Sequence, residues 1–124
     1  DYERVVREKV ERDGLSGYVA FVGSVTQRQA RDLYNSHSVY VNLTPSGSMD
    51  KTIFEAIACG AVPVTFNNDL EDVLSTCLIA DNLEPLEVAS KITKALELED
   101  AEVLIGDVIN KHGLDKLVVR VLGQ

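Results

Sequence analysis

The stretch TPSGSMDKTIFEAIACGAVP, Thr44 to Pro63, gathers small polar residues, a lysine and an internal glutamate. It reads as a loop that leaves a strand and enters a helix. Unpaired N–H groups at a helix start, together with the positive end of the helix dipole, favour a bound phosphate. The amides of Met49 to Thr52 would suit a diphosphate, with Ser48 and Asp50 beside them and Lys51 adding a positive charge. Glu55 follows about one turn later, on a helix otherwise rich in Ile, Phe and Ala. An ionised carboxylate accepts two hydroxyl protons from a vicinal diol, and a ribose offers that diol. A plainer reading stands beside this one: Ser48 or Asp50 caps the helix, and Glu55 pairs with Lys51 across one turn. Neither GxxxxGK[ST] nor GxGxxG occurs, which removes Walker-type NTPases and dinucleotide dehydrogenases.

The elements that would hold this segment are short. Tyr2, Val5, Val6 and Val10 share one helical face, with Glu3, Arg4, Arg7, Glu8 and Glu11 on the other and Asp13-Gly14 as the stop. Neither a capping residue nor a strand is read before this helix, the start expected of a piece cut from a longer protein. Tyr18 to Val22 is β-branched and aromatic and closes on Gly23-Ser24, which predicts a buried strand. Thr26 then caps a helix carrying Ala30, Leu33 and Tyr34, broken by Asn35 to Ser38. Val39 to Leu43 predicts a strand, Thr44 to Ser48 a loop, and Ile53, Ala56 and Ile57 a helix ending at Gly60.

Val62 to Phe66 is the next strand, with Pro63 near its start, where a missing donor is tolerated. Leu70 to Leu74 predicts a short helix and Cys77 to Ala80 a fourth short strand. From Pro85, Leu86, Ala89, Ile92, Ala95 and Leu96 keep helical register, followed by Val103, Leu104, Val108 and Ile109, then Leu117, Val118 and Val121. Short strands alternating with amphipathic helices predict an α/β fold with a parallel sheet covered on both faces. Right-handed crossovers would bring Gly23 to Gln27, Leu43 to Lys51 and Phe66 to Asp69 to the carboxyl edge of that sheet.

Composition narrows the partners. The 124 residues fit one domain, residues 1–124, and 45% hydrophobic with 26% charged residues is ordinary for a folded chain. Twelve basic against twenty acidic side chains leave a net charge of −8, so nucleic acid and anionic membranes are poor partners. No transmembrane segment is read, since no apolar run approaches the roughly 18 residues one needs, and the charged start Asp1 to Arg7 is unlike a secretory signal. Two cysteines, Cys59 and Cys77, without metal-ligand spacing, predict a reducing, cytoplasmic compartment and no metal site. His37 and His112 sit at helix ends and read as structural, and both cysteines read as packed core. Asp69, Glu71 and Asp72 read as a solvated acidic helix start, although they could reach a sugar hydroxyl. Glu97 to Glu102 reads as a solvated connection.

Over roughly Tyr2 to Ile92 the motifs resemble the donor-binding C-terminal half of retaining glycosyltransferases with the GT-B fold, the glycosyl transferases group 1 family. That family's V-x-F-x-G-x-V strand end corresponds to Val19-Ala20-Phe21-Val22-Gly23-Ser24-Val25. Its P-S, E-A and A-x-G-x-P-V steps correspond to Pro45-Ser46, Glu55-Ala56 and Ala58-Cys59-Gly60-Ala61-Val62-Pro63-Val64. The resemblance implies a three-layer, Rossmann-like nucleotide-sugar-binding domain, here partial and lacking its first strands. It implies that Glu55 holds the ribose hydroxyls of a UDP-, GDP- or ADP-sugar. The amides of Ser48, Met49, Asp50, Lys51 and Thr52 would meet the diphosphate and sugar, and Gly23 and Val25 would lie in the loop that contacts the base. It further implies hexosyl transfer with retention, without a metal or other cofactor, and an acceptor-binding N-terminal half supplied by the same parent chain.

Two departures bear on that transfer. The first glutamate of the family motif would fall on Gly47, and its F-G pair is Met49-Asp50, so altered sugar contacts are expected. The Arg and Lys that neutralise the leaving diphosphate in the family lie upstream of the residues present, so the isolated piece is expected to be inactive and its catalytic residues stay unassigned. A nucleotide-sugar epimerase of the same architecture, or a non-catalytic nucleotide-binding or interaction module, are the competing expectations.

Overall fold

The computed structural model describes residues 1–45, 51–68, 74 and 78–98. Six elements follow in chain order: α1 (Tyr2–Arg12), α2 (Gln27–Ser36), β1 (Val39–Asn42), α3 (Lys51–Ala58), β2 (Val62–Thr65) and α4 (Pro85–Leu96). The chain is α/β, with helices around a small parallel sheet.

The sheet pairs β1 with β2 in parallel, with Val39 opposite Val62 and Asn42 opposite Thr65. Alternation puts Val39, Val41, Val62 and Val64 on one face and Tyr40, Asn42, Pro63 and Thr65 on the other. Each face has its own apolar cluster. Val62, Val64, Leu78 and Ala95 are buried together, with Val39 and Ile92 of α4 against them. Ile53, Ile57, Leu74 and Ile79 form the second cluster, with Tyr40 and Phe54 packed on it. Thus α4 covers the valine face and α3 the tyrosine face, each driven there by removal of apolar side chains from water at roughly 1.5–3 kcal/mol apiece.

Pro63 sits inside β2 without breaking it. The Val62 N–H donates to Ser38 on the β1 side at 2.9 Å, and the Ala80 N–H donates to the Thr65 carbonyl on the other side at 2.7 Å. Successive residues point their backbone groups to opposite sides, so the ring of Pro63 faces away from β1, on the side where Ile79 bridges to Thr65.

Helix ends follow local chemistry. A reciprocal capping box closes α2: the Gln29 N–H donates to Thr26 Oγ1 at 3.1 Å and the Thr26 N–H to Gln29 Oε1 at 2.8 Å. The helix runs through Asn35 and Ser36, two residues into the expected breaker, and the His37 ring Nδ1–H donates to the Leu33 carbonyl at 2.7 Å. At the end of α3, Gly60 adopts φ +93, its N–H bonds to Ile57 and the Ala61 N–H reaches back to Ala56, both at 3.0 Å. This is a Schellman stop, which needs a residue that tolerates the left-handed region. Pro85 opens α4 at a position where its missing N–H would be unpaired anyway.

Three expectations are corrected. First, α1 does have a cap, because Asp1 accepts from the Glu3 N–H at 3.1 Å. Second, Tyr18 to Val22 is not a buried strand: these residues enter no ladder, and Tyr18 is 87% exposed. A strand requires a neighbour for its backbone groups. Here the segment is tied instead to α1 by Arg7, whose guanidinium stacks over the Phe21 ring at 4.3 Å. Third, among the described residues of the expected strand Cys77 to Ala80, which are Leu78 to Ala80, a single bridge forms, from Ile79 to Thr65. The expected helix Leu70 to Leu74 lies, apart from Leu74, outside the described residues, as do Cys77 and the helices expected beyond Leu98.

Candidate functional site

At the carboxyl end of the sheet, β1 stops at Asn42 and the chain re-enters helix at Lys51. The two ends are linked by hydroxyl and amide side chains. The Tyr40 hydroxyl and Thr52 Oγ1 are 2.6 Å apart, and Asn42 Nδ2 donates to the Tyr40 hydroxyl at 3.1 Å and to Thr52 Oγ1 at 3.3 Å. Asn42 Oδ1 accepts from the Thr44 N–H at 3.0 Å, which fixes the first step of the exit loop. Tyr40 also meets Tyr34 of α2 edge-on, with ring centroids 5.4 Å apart. Thr65, register partner of Asn42, is fully buried, and its Oγ1 has no hydrogen-bond partner among the described residues.

The predicted residues divide as follows. Lys51 and Thr52 form the first turn of α3, with Lys51 exposed and Thr52 half-buried. Glu55, one turn on, is half-buried, and among the described residues it forms no ion pair with Lys51. Burial pushes the free Cys59 thiol up from its ordinary value, the nearby Arg31 of α2 pulls it back, and the Glu55 carboxylate raises it further. The charges of Arg31 and Glu55 thus act on the Cys59 thiol with opposite sign. Gly23, at φ +66, and the exposed Val25 lie in the turn before the Thr26 cap, at the start of α2. Ser48, Met49 and Asp50 fall outside the described residues, as do Gly47, Asp69, Glu71, Asp72 and His112.

A match to a family model decides what this arrangement belongs to. The model for glycosyl transferases group 1 covers residues 1–98. The chain belongs to that family. No curated protein and no solved structure matched. Within this group 1 glycosyl transferase chain, the matched region spans every described element, including the capped start of α2 and the Lys51–Glu55 turn.

Elsewhere in the group 1 domain, a cavity of about 400 Å³ lies among Ser36, His37, Gly60, Val62 and Leu96. It sits where α2, α3 and α4 end and β1 and β2 begin, so it gathers none of the predicted site residues. No trio of His, Cys, Asp or Glu suited to a metal ion occurs among the described residues, and none of their helices is long and apolar enough to cross a membrane.

Sequence reading gives Tyr40 and Asn42 no role beyond their strand positions. The available signal was their spacing: residues two apart in a strand share a face, and two hydrogen-bonding side chains at the end of a strand are well placed to serve the helix that follows.

Proposed function

We propose that this chain is the donor-binding part of a retaining glycosyltransferase, with a three-layer, Rossmann-like architecture and the GT-B arrangement in the complete enzyme. Membership of the group 1 family carries the reading. The half-buried Glu55, unpaired with Lys51 among the described residues, supports its finer form, because that carboxylate is available to a ribose diol. The donor is a UDP-, GDP- or ADP-sugar. Its diphosphate lies at the first turn of α3, where backbone N–H groups and Lys51 face developing negative charge. In the transfer, the bond from the anomeric carbon to the diphosphate oxygen breaks and a bond to an acceptor hydroxyl oxygen forms on the same face. The acceptor proton leaves with the diphosphate. The acceptor, and the cations that complete neutralisation, come from outside the residues described.

Glu55→Ala tests this reading. Calorimetric titration of the folded variant with the preferred nucleoside diphosphate is expected to show binding weaker by roughly 1–3 kcal/mol, the size of lost charge-assisted hydrogen bonds. Unchanged affinity with an intact fold would remove Glu55 from the site. Gly47, which stands where the family motif has a glutamate, favours a second reading in which nucleotide binds but no sugar is transferred. Donor turnover by the complete protein separates the two.

A further inference from the structure

Among the described residues β1 is an open edge of the sheet. The Val62 N–H donates to the Ser38 carbonyl, so Ser38, Tyr40 and Asn42 turn their backbone groups toward β2, and Val39 and Val41 turn theirs to the opposite side. No backbone or side-chain group among the described residues bonds to Val39 or Val41 there. The side chains agree: Val41 is 41% exposed, whereas its register partner Val64, on the same face, is buried. An uncovered edge of this kind is a template for another strand.

Handedness says which segment fits it. α3 leads from β1 to β2 across the tyrosine face, and α2, which leads into β1, lies on that same face with Tyr34 against Tyr40. Crossovers between parallel strands are right-handed in nearly all cases. Two crossovers of one hand on one face step in one direction, so a strand before α2 belongs on the side of β1 away from β2, which is the open edge. The segment before α2 is Tyr18 to Val22, apolar and β-rich, and among the described residues Ala20, Phe21 and Val22 make no backbone hydrogen bond. Only Gly23, Ser24 and Val25 separate it from the Thr26 cap, a usual length for a strand-to-helix connection. Gly23, at φ +66, supplies a pivot that can turn either way at little cost.

We propose that Tyr18 to Val22 is a strap that closes onto the open edge of β1 when the donor binds. Docked in parallel, it sets Gly23 at the carboxyl edge beside the exit of β1, with Val25 two residues on, next to the turn that carries Lys51 and Glu55. Docking forms ladder bonds and covers an apolar run, and it costs the ordering of the segment. A ligand that binds the docked form more tightly shifts that balance. α1 travels with the strap, because Arg7 is stacked on Phe21. The inference rests on the donor-binding reading and adds to it a conformational step that completes the site.

The test is amide hydrogen exchange of the whole chain, alone and with UDP, GDP or ADP. In the chain alone the Val39 and Val41 amides exchange fast, while those of Tyr40 and Asn42, directed at β2, are slow. With the diphosphate that binds, exchange at Val39 and Val41 slows roughly tenfold or more, as it does for groups that open only with their ladder. Val39 starts β1, at the end of the strand opposite the donor, so its protection reports pairing and not contact with the ligand. Ala20→Pro and Phe21→Pro each remove one donor, and alternation puts one of the two in the new ladder. That variant loses the slowing and binds the diphosphate roughly 3- to 10-fold more weakly, the scale of one neutral hydrogen bond, with exchange at Val64 unchanged.

A diphosphate that binds while Val39 and Val41 exchange as before overturns this inference alone. So do Val39 and Val41 amides already slow in the chain without ligand, or slowing that both proline variants retain. Slowing that grows with protein concentration assigns the edge to a second copy of the chain and overturns it as well. A wild-type chain that binds none of the three diphosphates overturns the donor reading itself, and this inference with it.

Discussion

Residues 2–25 and residues 39–96 of this chain contain similar apolar runs and meet opposite fates. In the first region α1 buries no residue, and its i to i+4 pairs Arg4–Glu8, Glu3–Arg7 and Lys9–Asp13 all lie in solvent. Its stabilisation is local, a few tenths of a kcal/mol per pair. Tyr18 to Val22, as β-rich as any run in the chain, remains outside the sheet. In the second region Val62 to Thr65 is wholly buried, held by β1 on one side and by Ile79 and Ala80 on the other, with α3 and α4 across its two faces. Strand propensity describes fitness for a paired, half-buried surface. It does not create the partner.

The contrast can be broken by substitution. Ile57→Ala empties a site that is 2% exposed and is expected to cost about 2–5 kcal/mol in chemical denaturation. Val22→Ala, at 60% exposure, should stay within about 0.5 kcal/mol. Equal losses would mean that the first region is part of the same cooperative core. Gly60→Ala comes next. No atom lies within 4 Å of the added methyl, so the effect is pure backbone strain at φ +93, about 1–2 kcal/mol. Denaturation midpoints unchanged by it would contradict the Schellman stop.

The smallest effect concerns Cys59. Its raised pKa means less thiolate at pH 8 than an unperturbed thiol would have, so alkylation by iodoacetamide should be slower than that of a free cysteine and should speed up as pH rises. Glu55→Gln removes a charge that raises the pKa and should accelerate the reaction. Arg31→Ala removes one that lowers it and should slow it. Reversed signs would break the grouping of Glu55, Arg31 and Cys59.

Where a residue's role is local, the sequence carried it. Thr26 and Gln29 three positions apart announce a capping box, Gly60 after an apolar helix announces its stop, and Pro63 at the head of a run is compatible with the side of the strand it occupies. Asp1 is of capping type as well, and reading the helix as uncapped overlooked it. The Tyr18–Val22 strand failed because pairing is decided by the rest of the sheet. Glu55 was legible as a carboxylate set among apolar neighbours, and its pairing with Lys51, the plainer alternative, is not what the fold adopts. The Arg31 charge that acts on neighbouring Cys59 comes from α2, more than twenty residues away in the chain and beyond any local spacing rule. The Tyr40, Asn42 and Thr52 cluster needed both the strand parity and the return of α3 onto β1. Only the first of these is written locally.

The central claim is that this group 1 glycosyl transferase chain binds a nucleoside diphosphate at the start of α3. An amide-resolved NMR titration with UDP, GDP and ADP, with and without an attached sugar, tests it most directly. The account predicts shifts for one base concentrated at Gly23 to Gln27 and Ser48 to Glu55, with Tyr40 and Asn42 following. Spectra of a folded sample unmoved at millimolar ligand, or shifts concentrated instead around His37, Gly60 and Leu96 at the opposite end of the sheet, would contradict it.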